Sequence, residues 1–225
     1  MSATSQIELS EQGGAVRSQP SRWNLQTALD SVERLLVLAF YVYLVWRLVP
    51  KGDGSPWLIN ALLLVSEGLV LVLFLIRRPT TAISMRRSDW LLALAGALFP
   101  LLVSPGNSNA LAPAVVCFAV MVCGMLVQVH AKLSLGRSMG LVAANRGIRR
   151  SGPYQFLRHP MYAGYMLTHL AFWLFNPTEW NLLIYSTAAT IQVLRLLAEE
   201  RFLRRSDEYR AYMENVRFRL IPGVF

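Results

Sequence analysis

The chain has 225 residues, 54% of them hydrophobic and only 16% charged, whereas soluble domains carry nearer a quarter charged residues. Its formal charge of +9 raises nucleic acid as a partner, but the arginines sit at the ends of apolar segments rather than in a stripe interleaved with aromatics, which points to anionic lipid headgroups and not to nucleic acid. Only Cys117 and Cys123 occur, both within an apolar segment, so a disulfide scaffold and a Cys-based zinc site are both excluded.

In chain order, residues 1–30 are polar and rich in Ser, Gln and Gly and lack the basic start and apolar core of a signal peptide. They read as a disordered cytosolic tail. Apolar stretches near the roughly 20 residues that span a hydrocarbon core then follow, with polar punctuation between them. They predict helices at about Glu33–Val49, Trp57–Ile76, Trp90–Val103, Ala112–Leu133, Met161–Phe175 and Trp180–Ala198. The expected fold class is therefore all-α, a polytopic transmembrane helix bundle of six spans. The third is short and interrupted by Pro100, so the count falls to five if it is re-entrant.

Positive loops stay in the cytosol. Arg77, Arg78, Arg86 and Arg87 fill one loop, Arg137, Arg146, Arg149, Arg150 and Arg158 another, and Arg201, Arg204 and Arg205 follow the last span. Ser104–Ala110 carries no charge and Asn176–Trp180 only Glu179, which suits the opposite face; Lys51, beside the loop Gly52–Pro56, is a small exception. With six spans both termini face the cytosol, and the domains divide as tail (1–30), N-terminal helices (31–133) and a functional core (134–225).

The polar connection Ser134–Arg158 is long for a loop inside a bundle, which marks it as functional. Its end, Ser151 to Gly164, packs turn formers, aromatics and cations directly before a membrane helix. Pro160 fits the first turn of that helix. His159 then stands at its N-terminus, where unpaired N–H groups and the helix dipole favour an anion, with Arg158 adding a permanent charge. Alone, Arg158 and His159 read equally as headgroup anchors. In the last span Arg195 and Glu199 share a helix face, with Glu200 turned about 100° away; alone, that is an ordinary helix ion pair. The outer turn between the two helices is so short that they must be antiparallel neighbours, so the two charged groups meet at one end. Cations for a carboxylate, carboxylates for an amine or hydroxyls, and the rings of Tyr154 and Tyr162 for stacking together suit an amphipathic cofactor and a membrane-borne substrate.

These residues resemble the superfamily of isoprenylcysteine carboxyl methyltransferases and phospholipid N-methyltransferases. The resemblance runs from about Leu135 to Phe225 through Gly152-x-Tyr154, Arg158-His159-Pro160-x-Tyr162-x-Gly164, Glu199-Glu200, Tyr209-x-x-Tyr212 and the closing Pro222. It implies S-adenosylmethionine as cofactor, with Tyr154, Arg158, His159, Pro160, Met161, Tyr162, Glu199 and Glu200 as contacts. It further implies Gly147 and Ile148 as cofactor contacts, in a stretch where Arg149 and Arg150 depart from the family pattern. Arg195 falls at the family's substrate-side arginine and is the expected catalytic residue. The segment Arg204–Asp207 is shorter than the corresponding loop of relatives, and the mixed basic and aromatic stretch Val216–Phe225 reads as an interfacial segment or lid.

The resemblance implies methyl transfer to a lipophilic, membrane-embedded substrate such as the carboxylate of an isoprenylated cysteine. Alternatives are a phospholipid or a small amine or thiol as acceptor, an NADPH-dependent membrane reductase, and a non-catalytic membrane scaffold. No metal site is expected, because the three histidines lie on separate segments. His169 and Glu67 fall within expected spans, where ionisable groups default to functional hypotheses; His130 reads as interfacial. Gly136 and Gly140 form a small-xxx-small pair outside any apolar span.

Overall fold

The computed structural model describes residues 21–48, 68, 71–80, 82–104 and 110–225. The expected tail to residue 20, the loop Gly52–Pro56, Glu67, most of the second expected span and most of the outer loop Ser104–Ala110 lie outside the described residues. The fold is helical: α1 (Ser21–Leu48), α2 (Arg87–Leu98), α3 (Ala114–Leu135), α4 (Pro160–Phe175), α5 (Glu179–Leu203) and α6 (Asp207–Asn215). Residues 71–75 are also helical.

α1 begins well before the expected Glu33 and takes in residues 21–30, which the composition had assigned to the tail. Its polar start is helical for an electrostatic reason. Asp30 and Glu33, one turn apart, are buried and meet two buried arginines. Arg77 reaches Asp30 at 2.8 Å and Glu33 at 2.8 Å, and Arg146 reaches the same pair at 2.8 and 3.0 Å. Glu33 also accepts from the backbone N–H groups of Leu141 (2.5 Å) and Val142 (2.9 Å). Buried charges persist only when paired and hydrogen-bonded in this way.

The third expected span is α2 followed by a 3₁₀ turn at Phe99–Leu102, with Pro100 at the change of helix type. Twelve α-helical and four 3₁₀ residues rise about 26 Å, short of the roughly 30 Å hydrocarbon core.

α3 and α5 are each long and apolar enough to cross a membrane. Large apolar side chains point outward along both, among them Val115, Phe118 and Leu126 on α3 and Leu182, Leu183 and Leu194 on α5. Exposed apolar surface on this scale, with the backbone bonded inside each helix, is what a lipid solvent requires.

α4 packs most extensively on α3, and next α2 packs on α5. The α3–α4 contact is close because two glycines face each other. A Cβ on Gly164 would lie 2.6 Å from Gln128 Cγ and 2.8 Å from the Gly124 carbonyl, and one on Gly124 would lie 2.9 Å from the Gly164 carbonyl. This is the small-residue packing of membrane helices. It falls at positions 124 and 164, not at Gly136 and Gly140. Gln128 Nε2 donates to Thr168 Oγ1 across the seam at 3.2 Å.

At the short α4–α5 turn, Thr178 caps α5 by accepting from the Asn181 N–H at 3.1 Å. The buried Asn181 side chain bonds the Ser104 carbonyl (2.8 Å) and N–H (3.1 Å), which ties this end to the chain after α2. α4 and α5 are antiparallel neighbours, as the brevity of the turn requires.

Candidate active site

The site forms where the N-terminus of α4 meets the last turns of α5. Pro160 opens α4 and His159 is its N-cap residue, so proline's fixed φ starts the helix without an unsatisfied N–H. The approach to α4 is held by the C-terminal segment, because the N–H groups of Arg158 and His159 donate to the carbonyls of Phe218 and Arg219, both at 2.9 Å. The expected interfacial stretch 216–225 is thus docked against the head of α4.

The two acidic residues of α5 have separate surroundings. Glu200 is fully buried, and three arginines and a histidine converge on it: Arg158 at 2.9 Å, Arg204 at 3.0 Å, Arg219 at 3.1 Å and His159 Nε2 at 3.4 Å. Glu199 keeps 21% of its side chain exposed and has lighter company, with Arg195 Nε at 3.7 Å and His159 Nδ1 at 3.9 Å. The Tyr162 hydroxyl donates to Glu199. The Arg195 guanidinium lies 5.4 Å from the Tyr162 ring centroid, a cation over an aromatic face. Its Nη2 donates to the Leu141 carbonyl at 2.7 Å.

Tyr154 is buried beneath this group, and burial, reinforced by the Glu199 charge, holds its phenol well above 10.0. Its carbonyl accepts from the Tyr212 hydroxyl at 2.7 Å. Tyr212 packs with Tyr209 and Val216, and burial pushes its own phenol up to about 12. The Tyr-x-x-Tyr pair of α6 therefore braces the loop that carries Tyr154.

The structure thus brings together His159, Tyr162, Arg195, Glu199 and Glu200, with Tyr154 and Arg158 beside them. Met161 turns to the other side of α4, against Val37, Leu73, Phe74 and Met139. Ile148 packs on the Tyr209–Tyr212–Val216 cluster, and Gly147, at φ +93°, turns beside Arg78; the contacts of these two lead away from Glu199. His169 is stacked between Tyr165 (6.4 Å) and Tyr185 (4.6 Å) inside the bundle, and His130 Nε2 crowds the space beside Gly152. Among the described residues there is no group of three or more metal-ligating side chains.

Sequence reasoning missed Glu33, Arg204, Arg219 and the Leu141 carbonyl. Only Asp30 and Glu33 carried a signal, as two acids at helical spacing on the border of an apolar segment.

Residues 113–209 match the model of the phospholipid methyltransferase family. No curated protein matches the chain. This part of the chain is thus similar to a family within the superfamily of integral membrane methyltransferases that includes the isoprenylcysteine carboxyl methyltransferases. Both helices long and apolar enough to cross a membrane, α3 and α5, lie within the matched stretch.

The described residues fit S-adenosylmethionine. Arg195 Nε, a buried atom without a hydrogen-bond partner, stands 3.7 Å from the part-exposed Glu199, and His159 Nε2 and the Tyr209 hydroxyl are likewise buried without one. A zwitterion with a carboxylate, an ammonium and ribose hydroxyls offers the complementary groups.

Proposed function

We propose that this protein transfers a methyl group from S-adenosylmethionine to a lipophilic acceptor that enters from the bilayer. The observation that carries the reading is the division of labour on α5: Glu200 is buried among three arginines and His159, while Glu199, one residue earlier, is part-exposed beside Tyr162 and Arg195. Glu199, His159 and Tyr162 hold the cofactor, Tyr154 backs them, and Arg195 orients the acceptor. Arg158, Pro160 and Glu200 keep the head of α4 in place, and Met161, Gly147 and Ile148 support the walls.

When bound, the cofactor supplies a methyl group activated by a sulfonium. The protein's contribution is alignment and exclusion of water, worth several kcal/mol in a displacement of this kind. A carboxylate acceptor such as that of an isoprenylated cysteine arrives deprotonated, and Arg195 is placed to orient it. A phospholipid amine or a smaller amine or thiol needs a group to take its proton.

The orientation that matches the charge distribution puts both termini and this site on the cytosolic side of a multi-pass bundle. The docked segment 216–225 is then a lid at the headgroup level.

Calorimetric titration of lipid-reconstituted protein with S-adenosylhomocysteine tests the cofactor reading. Saturable binding that weakens at least tenfold in His159→Ala and in Glu199→Ala is the expected result. A folded wild type that shows no binding would refute it. Transfer of labelled methyl into lipid extracts, separated by head group, then identifies the acceptor.

A further inference from the structure

A cavity of about 480 Å³ opens between the start of α1, residues 82–86, Asn145 and the turn that joins α5 to α6. That is within the range of small-ligand sites. It shares no side chain with the Glu199 cluster.

Its wall is built rather than loose. Ile83 and Ala144 form an antiparallel bridge, and Ser84 N–H donates to the Ala143 carbonyl (2.8 Å) while Asn145 N–H donates to the Ala82 carbonyl (2.9 Å). Among the described residues, Arg86 and Arg205 line the cavity with neutral polar side chains from Gln26, Ser84, Asn145 and Ser206 and no carboxylate. The Arg205 guanidinium sits 5.2 Å from the centroid of Phe202, another lining residue.

Several arginines around the cavity have carboxylate partners. Arg201 takes Asp89 at 2.7 Å, Arg204 takes Glu200 at 3.0 Å, and Arg210 takes Asp207. Ser84 also donates to Asp89 at 2.5 Å. Among the described residues neither Arg86 nor Arg205 has an ion pair. Two guanidinium groups lining one cavity would both attract an anion held between them. A planar guanidinium favours a group with several oxygens, and phosphate best of all.

We infer that this cavity binds a phosphate group carried on a small polar head. Phe202 belongs to the last turn of α5, which places the cavity at headgroup depth, within reach of a lipid phosphate as well as a soluble phosphate ester. The inference does not depend on the methyl-transfer reading.

The test titrates purified protein in a non-ionic detergent with three probes: short-chain phosphatidic acid, glycerol phosphate and inorganic phosphate. Arg86→Gln/Arg205→Gln is compared with wild type and with Arg217→Gln, an exposed arginine away from the cavity. All three positions are exposed, so the variants keep their fold, and unchanged melting checks this. Saturable binding that falls at least tenfold in the double variant and less than twofold in Arg217→Gln supports the inference. Preference for phosphatidic acid assigns a lipid headgroup; equal binding of glycerol phosphate or phosphate assigns a soluble ligand. No saturable binding of any probe, or equal loss in Arg217→Gln, overturns it. Titration with S-adenosylhomocysteine is expected to be unchanged in the double variant, and this holds the two sites apart.

Discussion

Replacing Glu200 by alanine removes the carboxylate on which Arg158, His159, Arg204 and Arg219 converge. The four partners do not count equally. Arg204 is 47% exposed and Arg219 is 23% exposed, so water takes over much of what the carboxylate gave them, and each accounts for no more than about 1 kcal/mol. Arg158 and His159 are each 6% exposed. Arg158 is left as a buried charge without its counter-ion, a change that costs about 3–5 kcal/mol. For a chain of this size each kcal/mol lowers the midpoint by about 2–4 °C, so the predicted fall is about 6–20 °C. Thermal unfolding in detergent, followed by tryptophan fluorescence, measures it. Glu199→Gln provides the contrast, with a melting point close to wild type and lost affinity for S-adenosylhomocysteine. A Glu200→Ala protein that melts within 1 °C of wild type would refute the reasoning, because it would show that the three arginines are solvated without the acid.

Three further outcomes follow from the packing. Gly164→Val puts side-chain atoms where a Cβ already lies 2.6 Å from Gln128 and 2.8 Å from the Gly124 carbonyl; the expected loss is about 1–3 kcal/mol, read as a lowered melting temperature. Glu33→Gln keeps the shape and one acceptor but leaves Arg77 and Arg146 an acid short; a loss of about 3 kcal/mol is expected, with slower hydrogen exchange lost at the Leu141 and Val142 amides. The Tyr212 phenol, raised by burial from 10.0 to about 12, favours the folded state below about pH 10, and that contribution disappears as the pH climbs to 12. Tyr212→Phe therefore costs about 0.5–1.5 kcal/mol at neutral pH through the lost bond to the Tyr154 carbonyl. It also flattens the fall in stability between pH 10 and 12, which melting curves across that range display.

Local signals made the C-terminal half readable. Proline at the first turn of α4, the run of apolar residues through α3 and α5, and the short turn after Asn176 each act over a few residues, and α4 and α5 stand where those signals put them. Helical spacing set Glu199 and Glu200 on different faces, but what each face meets was not readable, because it depends on partners from other segments. One of those partners, Arg219, lies in a segment whose own pattern showed only mixed aromatic and basic character. The start of α1 was misread for the same reason. Asp30 and Glu33 look like polar tail residues in one dimension and become interior residues only when Arg77 and Arg146 arrive from 44 or more positions away.

That misreading bears on how the site is held. The family match covers residues 113–209, yet Arg195 is positioned from outside that range. Its guanidinium donates to the carbonyl of Leu141, and the N–H of the same Leu141 donates to Glu33 of α1. The peptide units on either side of Leu141 Cα therefore join a buried acid of the N-terminal helix to the arginine of the proposed acceptor site. Arg146, bound to Asp30 and Glu33, fixes the other end of the same short loop. A backbone clamped at both ends presents its carbonyl at one place and keeps Arg195 from swinging toward Glu200. The N-terminal helix thus belongs to the site's architecture even though it carries none of the motif, and exchanging it for an unrelated apolar helix would be expected to disturb Arg195 before it disturbed Glu199.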